Sequence, residues 1–344
     1  MKKVYLELTD RCNLNCRFCY RQTWTQPPSD MDPELIDACI QEIKSMDNVE
    51  EVVLGGIGEP TYFQGIEEVI EELKDKKITM TSNGASISDA LAKICVQHVD
   101  HLIISVDGMD ETFYALRQFP LQELIKNVDK IVALKEANQS SLPKISFQMV
   151  LTTMNMHEIK DVIELAARHG VAQVILSNIV PTQEEDLELV PYFMYEKEPL
   201  HSIIKAASTK ALIKRLELHI PETRLKTERH CRFIEEESMM VNVKGQVVPC
   251  YRFAHNGTEF VFGRKKDIKM HSFGTVPDQS LTEIWNQPAY VNYRSIVHNN
   301  HYPSCMDCDL VDGCDMARNA EFDCFGNTPS CADCLWGRKI VYCV

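Results

Sequence analysis

Six short apolar runs, each followed by a helical pattern, fill the first 180 residues, and this alternation restricts the fold more than any other feature of the chain. The runs are Val4 to Leu8, Val52 to Leu54, Ile78 to Thr81, His101 to Val106, Ile145 to Leu151 and Val174 to Ile179. Between the first two, Leu35, Ile36, Cys39, Ile40 and Ile43 make one apolar stripe over about 32–46, with Asp32 placed to cap it and Pro33 to open it. Strands separated by helices pair in parallel, so an α/β chain is expected, its sheet open or curved into part of a barrel. In either case the loops after the strand C-termini carry the site. Gly55-Gly56-Ile57-Gly58 follows the second strand but lacks the third glycine of a dinucleotide fingerprint, and no Walker-type loop occurs.

Beyond residue 185 the pattern changes. Residues 186–230 read as a charged connector with a helix around 198–218. Residues 231–344 read as short strands, turns and cysteines. Lys244-Gly245 marks a hairpin between 239–243 and 246–248, and Ser280-Leu281-Thr282-Glu283 is a capping box. The division expected is 1–185, 186–230 and 231–344. The 36 basic and 50 acidic residues give a net charge of −14, which repels phosphate backbones and anionic lipid, so neither nucleic acid nor membrane is an expected partner. No window of 18 or more uncharged apolar residues occurs, and the amino terminus has no apolar run behind its charges, so a cytoplasmic protein is expected.

In a reducing compartment, 14 cysteines point to metal or redox chemistry rather than to disulfides. Cys12-x3-Cys16-x2-Cys19 falls on the loop after the first strand. Three thiolates hold one face of a 4Fe–4S cluster and leave one iron open to a substrate, whereas four close it. This loop, with Phe18 just before its last cysteine, resembles the radical S-adenosylmethionine (SAM) superfamily, and the resemblance extends over about residues 1–185. It implies a partial (β/α)6 TIM-like barrel in which Cys12, Cys16 and Cys19 hold the open cluster. It further implies that SAM is cleaved reductively to a 5′-deoxyadenosyl radical, with the one electron coming from a donor such as ferredoxin or flavodoxin. Gly55, Gly56, Gly58 and Glu59 resemble the family's glycine-rich motif for the SAM amino group. Asn83 after strand three, and Ser105 and Asp107 at strand four, resemble its other cofactor-contacting positions, and Phe18 belongs to the same set.

The nine remaining cysteines from Cys231 onward resemble the SPASM extension, which holds two auxiliary 4Fe–4S clusters in enzymes that modify peptides or proteins. The ligands this implies are Cys231, Cys250, Cys305, Cys308, Cys314, Cys324, Cys334 and Cys343. One departure stands out: the family places a cysteine four positions after Cys314, where this chain has Arg318. Three thiolates at the open cluster and eight at two closed ones account for eleven. Cys39 and Cys95, on apolar helix stripes, read as core. One surplus thiol remains, expected at Cys331 or Cys334. Tyr251, directly after Cys250, stands where a relative can carry an acidic base; it reads equally as a site residue or as packing.

The stretches Cys19 to Trp24, Gly55 to Pro60 and Cys331 to Cys343 resemble the proposed maturases of tungsten-cofactor oxidoreductases, which implies a protein, peptide or cofactor-linked target connected with a tungsten-type aldehyde oxidoreductase. A peptide natural-product maturase forming a cross-link or thioether is the other enzyme reading. A zinc-bound scaffold without turnover is the non-enzymatic one, since Cys305-x2-Cys308 and Cys331-x2-Cys334 come near a zinc-ribbon pattern. Metal analysis of anaerobically reconstituted protein separates them: three clusters give about 12 iron per chain, whereas zinc without iron identifies the scaffold.

Overall fold

The computed structural model describes residues 1–195 and 199–342. Strands and helices alternate as β1 (Lys3–Leu6), α1 (Pro33–Ser45), β2 (Glu51–Leu54), α2 (Ile66–Glu72), β3 (Lys77–Ser82), α3 (Asp89–His98), β4 (His101–Ser105), α4 (Asp110–Arg117), α5 (Leu121–Ala137), β5 (Lys144–Leu151), α6 (Ile159–Arg168) and β6 (Gln173–Asn178). Then come α7 (Leu200–Lys214), β7 (Glu217–His219), α8 (Arg232–Glu235), β8 (Ser238–Val241), β9 (Gln246–Val248), β10 (Gly257–Val261), β11 (Arg264–Ile268), β12 (Gly274–Thr275), α9 (Leu281–Asn286) and α10 (Pro288–His298). β1 to β7 lie side by side in chain order and all parallel. The same sheet continues past β1 into β8, which is parallel to it, and then into β9 and β12, which run antiparallel. β10 and β11 form a separate antiparallel ribbon.

The expected devices are in place. Asp32 accepts from the Glu34 amide at 3.0 Å with Pro33 opening α1, and that helix buries Ile36, Cys39, Ile40 and Ile43 against the sheet. Leu6, Leu54, Met80, Ile104, Phe147 and Leu176 supply the matching sheet face, all fully buried; a side chain so placed contributes about 1.5–3 kcal/mol. Ser280 and Glu283 cap α9 reciprocally, and Asn242 to Gly245 turn β8 into β9. The helix expected to reach residue 218 stops at Lys214. Arg215 takes a left-handed φ of 55°, and Glu217–His219 then pairs with β6 as a seventh parallel strand inside the stretch read as connector.

The sheet curls until its two flanks meet. β7 and β8 are seven strands apart in sheet order, yet the Tyr342 hydroxyl bonds both His219 of β7, at 3.1 Å, and Arg232, which leads into β8, at 2.6 Å. The first residues of β1 to β7 accordingly converge on one charged cavity of about 570 Å³ at the N-terminal end of the barrel. Its charges are mutually paired: Lys3 with Glu51 and Glu236, Lys77 with Glu51, and Lys144 with Glu217.

His101 sits in this wall, 2.7 Å from Ser146 Oγ; burial, then Lys144 and Lys77, lower its pKa to about 4. The unfolded chain takes up this proton near pH 6.5 and the folded chain does not until near pH 4, so this group withdraws stability as pH falls through that window. Denaturant unfolding of wild type and His101→Asn between pH 7 and 4.5 should show a shallower fall for the variant; parallel curves would contradict it.

Candidate active site and metal centres

The three N-terminal cysteines follow β1 on an irregular loop that ends in a single turn at Tyr20–Thr23. Their thiols form no disulfide. Burial raises Cys12 and pushes Cys19 up to about 11, outweighing the nearby Arg21 charge that pulls both down, so both stay protonated. Such thiols lose their protons only on binding a metal centre, the chemistry of a cluster site. The loop is fastened from several sides: the Leu14 amide donates to Cys12 Sγ at 3.4 Å, Arg17 donates its amide to the Leu116 carbonyl at 2.9 Å, and the Gln22 amide group donates to the Cys16 carbonyl at 2.6 Å.

The glycine-rich loop after β2 lies directly against it. Gly56 has φ +153°, and a Cβ there would come within 2.5 Å of Glu7 Oε1; a Cβ on Gly58 would sit 2.2 Å from the Thr9 carbonyl oxygen. Side chains are excluded at both positions, at Gly56 by the buried Glu7 side chain and a left-handed backbone, at Gly58 because backbone meets backbone. The Glu59 amide donates to the Arg11 carbonyl at 2.8 Å across the same contact. Glu7, fully buried, accepts from the Ile57 amide at 2.9 Å and from His255 Nε2 at 2.7 Å, and so fixes the glycine loop from behind.

Glu59 is buried and its carboxyl pKa is raised by desolvation. Its Oε1 accepts from the Thr61 amide and hydroxyl and from Ser82 Oγ, and its Oε2 from the Asn83 amide at 2.6 Å. Its remaining acceptor capacity, for an ammonium or otherwise, is on Oε2. Asn83 then reaches the cysteine loop, donating to Asn13 Oδ1 at 2.8 Å and approaching Cys12 Sγ at 3.6 Å.

These parts enclose one cavity of about 260 Å³ at the C-terminal end of the barrel. Cys12, Cys16, Cys19, Gly56, Gly58, Glu59, Asn83, Ser105 and Tyr251 all line it. Three candidates do not. Gly55 stands behind the wall against Thr81. Asp107 is fully buried, bound to Arg117 and to the Val150 amide at 2.7 Å. The Phe18 ring lies under the Arg117 guanidinium, 5.8 Å away. Sequence reasoning missed Thr81, Arg117, Gln148, Trp336 and Tyr342, which complete the lining. Thr81, on β3, precedes Asn83, Arg117 and Gln148 come from separate elements, and Trp336 and Tyr342 lie in the cysteine-rich tail, where the sequence marks the cysteines and not these rings.

The C-terminal thiols fall into two groups. Cys231 is pushed up to about 12 by burial and then by the charge of Cys334; Cys331 is raised by burial and then by Cys334 and Cys231. Tyr290 and Tyr293 feel both Cys231 and Cys250, and the Tyr293 hydroxyl lies 3.2 Å from Cys331 Sγ. Cys231, Cys250, Cys331 and Cys334 therefore stand together. Cys305, pushed up to about 11 by burial, also feels Cys324 and Cys314, and its carbonyl accepts from the Cys308 amide at 3.3 Å. Cys331 thus keeps company with Cys334, where one of the two was expected to be surplus. Cys343 lies outside the described residues. Arg318 is on the surface, 3.4 Å from Asp315. Cys39 and Cys95 are buried core residues, as expected, with thiols pushed up to about 12. Among the described residues no three His, Cys, Asp or Glu side chains stand as a single-ion site needs them, and no helix is long and apolar enough to cross a membrane.

A curled parallel sheet with three free thiols at its rim, and further free thiols beyond residue 230, defines a cluster-binding half-barrel. Comparison with known proteins agrees. The Radical SAM superfamily model matches residues 6–166, and the SPASM iron–sulfur cluster-binding domain model matches 231–309. The chain is 33% identical over its whole length to the tungsten-containing aldehyde ferredoxin oxidoreductase cofactor-modifying protein of Pyrococcus furiosus, covering 97% of that protein. A probable GTP 3',8-cyclase of Thermoplasma volcanium is 31% identical over 62% of this chain and 64% of its own. Among solved structures, Streptococcus suis SuiB bound to S-adenosylmethionine superposes with a TM-score of 0.62 at 16% identity, covering 91% of this chain and 72% of that one. The anSMEcpe structure with bound AdoMet and a peptide gives 0.57 at 15%, covering 92% and 88%. The chain belongs to the radical SAM superfamily, as a member with a SPASM extension, and its cofactors are 4Fe–4S clusters and S-adenosylmethionine.

Replacing Gly58 by valine forces the two loops apart. Because about an ångström of misplacement can cost about 100-fold in rate, reductive SAM cleavage by Gly58→Val should fall by about that factor, with far-UV circular dichroism unchanged. Wild-type turnover would contradict the contact.

Proposed function

We propose that this protein is a cytoplasmic radical SAM maturase that modifies a protein, a peptide or a pterin-linked cofactor in preparing a tungsten-type aldehyde oxidoreductase, with ferredoxin or flavodoxin as electron donor. The end-to-end similarity to a relative named as a cofactor-modifying protein of such an oxidoreductase carries the target. The meeting of the cysteine loop with the strand ends of β2, β3 and β4 in one cavity supports the chemistry.

Cys12, Cys16 and Cys19 would hold a 4Fe–4S cluster with one iron left for the methionine amino and carboxylate groups. When bound, that cluster supplies the single electron that splits the sulfonium into methionine and a 5′-deoxyadenosyl radical. The protein's share is placement and exclusion of water. Gly56 and Gly58 let backbone close on the cofactor, and Glu59 holds Asn83 and through it the Cys12 loop. Ser105 and Gln148 present polar groups from β4 and β5. Tyr251, Trp336 and Tyr342, all contributed by the C-terminal region, complete the wall of the cavity. Tyr251 offers a phenol, not a carboxylate, to a substrate there and can lend or take a hydrogen-bonded proton at its oxygen.

The two thiol groups beyond residue 230 fit two closed auxiliary clusters, one on Cys231, Cys250, Cys331 and Cys334, the other on Cys305, Cys308, Cys314 and Cys324. This assignment makes Cys331 a ligand and Cys343 the surplus. Reconstituted Cys331→Ala should lose about four iron while Cys343→Ala keeps the wild-type content; the reverse pattern would restore the ligand set read from sequence. Anaerobic incubation with dithionite and SAM should yield 5′-deoxyadenosine, and Cys16→Ala should yield none. Absence of product from fully loaded wild type, or its persistence in the variant, would overturn the activity.

A further inference from the structure

Arg117 does something that no motif announces. It closes α4, and the next residue, Gln118, ends the helix in a left-handed conformation with φ 55°. Its side chain is 11% exposed. Its Nε bonds Asp107, its Nη1 points at Cys16 Sγ at 3.7 Å, and its guanidinium lies over Phe18. The pair is anchored on both sides. Asp107 is fully buried; its other oxygen accepts from the Val150 amide and its carbonyl from Asn155 Nδ2 at 3.1 Å. The Leu116 carbonyl accepts from the Arg17 amide, which pins the end of α4 to the cysteine loop next to Cys16. A fixed cation with its counter-ion one bond away is thus built directly against the Cys16 thiol, with Cys19 feeling its charge more weakly.

The charge arithmetic gives this arrangement a consequence. A 4Fe–4S core of charge +2 with three thiolates carries −1, and −2 after taking an electron. A neighbouring positive charge and an N–H···S bond favour the more negative form, so they raise the reduction potential. A counter-ion on the far side of the guanidinium offsets part of that pull, and burial in low dielectric makes both effects larger than they would be in water.

We propose that Arg117 and Asp107 together set the reduction potential of the open cluster through the Cys16 sulfur, Arg117 raising it and Asp107 holding it back. The proposal rests on Cys12, Cys16 and Cys19 being the cluster ligands. Arg117 also lines the SAM cavity, so potential must be separated from binding.

The test is an EPR-monitored redox titration of the full reconstituted chain without SAM. The signal of the open cluster is taken as the one missing from Cys12→Ser. At the potential that half-reduces wild type, Arg117→Gln should lower the ratio of reduced to oxidised cluster by about tenfold, and Asp107→Asn should raise it by a similar factor. Arg117→Lys, which keeps the charge and loses the fork, should fall between wild type and Arg117→Gln. A packing role predicts loss of iron without this pattern of opposite signs. Ratios within about twofold of wild type in Asp107→Asn and Arg117→Gln, at unchanged iron content, overturn the proposal. Should Arg117→Gln fail to hold iron, Asp107→Asn and Arg117→Lys decide by the direction of their shifts. If Cys12→Ser removes no signal at all, it is the reading of the N-terminal cluster that has failed.

Discussion

A parallel sheet that curls puts the C-terminal ends of all its strands on one rim, and every part of the site depends on that convergence. Strand ends far apart in sequence come together only because β1 to β7 keep their order and because Tyr342 draws β7 toward the segment entering β8. Were the sheet flat, Cys12 beyond β1, Asn83 at the end of β3 and Gln148 in β5 would face separate stretches of solvent. Curled, they face one space of about 260 Å³. The two ends of this half-barrel have opposite characters. At the N-terminal end, lysines and glutamates satisfy one another in pairs. At the other end, burial holds the Cys12 and Cys19 thiols neutral despite the nearby Arg21 charge, and a metal centre takes up such thiols as they lose their protons.

The rim is assembled from close backbone contacts braced by two buried carboxylates. Glu7, directly after β1, turns its carboxylate onto the Ile57 amide and His255, and Trp24 stacks on that imidazole at 4.1 Å between ring centres. Glu59 spends its acceptor positions on Thr61, Ser82 and Asn83. Both carboxylates act as struts that hold one loop against another. The C-terminal region completes the enclosure: it adds β8, β9 and β12 to the sheet, brings Tyr251 and Trp336 into the cavity wall, and sets Cys231, Cys250 and Cys331 near Tyr293.

What could be read from the sequence was whatever has a period or a local spacing. Parallel strands buried on both faces give continuous apolar runs, and helices give stripes, so the six β/α units and the Asp32 and Ser280 caps were visible. Cysteines with two or three residues between them declare their partnership in the same way. β7 was hidden because Glu217-Leu218-His219 is short and mostly polar and takes its strand character from pairing with β6. Arg117 was hidden because its meaning lies in Cys16, 101 residues away. Asp107 was seen, and its role shifts from facing a ligand to gripping that arginine. The company kept by Cys331 was not legible either. The spacing Cys331-x2-Cys334 says that two thiols are neighbours; that Cys231 and Cys250 join them depends on β9 returning beside β8 and on α10 carrying Tyr293 between them.

The central claim is that the three sulfurs after β1 hold a four-iron cluster whose vacant corner binds the methionine end of SAM. Electron–nuclear double resonance on the reduced protein, with SAM labelled with ¹⁷O in its carboxylate and ¹⁵N in its amine, reads that contact directly. Hyperfine coupling from both labels to one cluster, lost in Cys12→Ser, is the predicted result. A cluster that forms in full and shows no coupling to either label would contradict it.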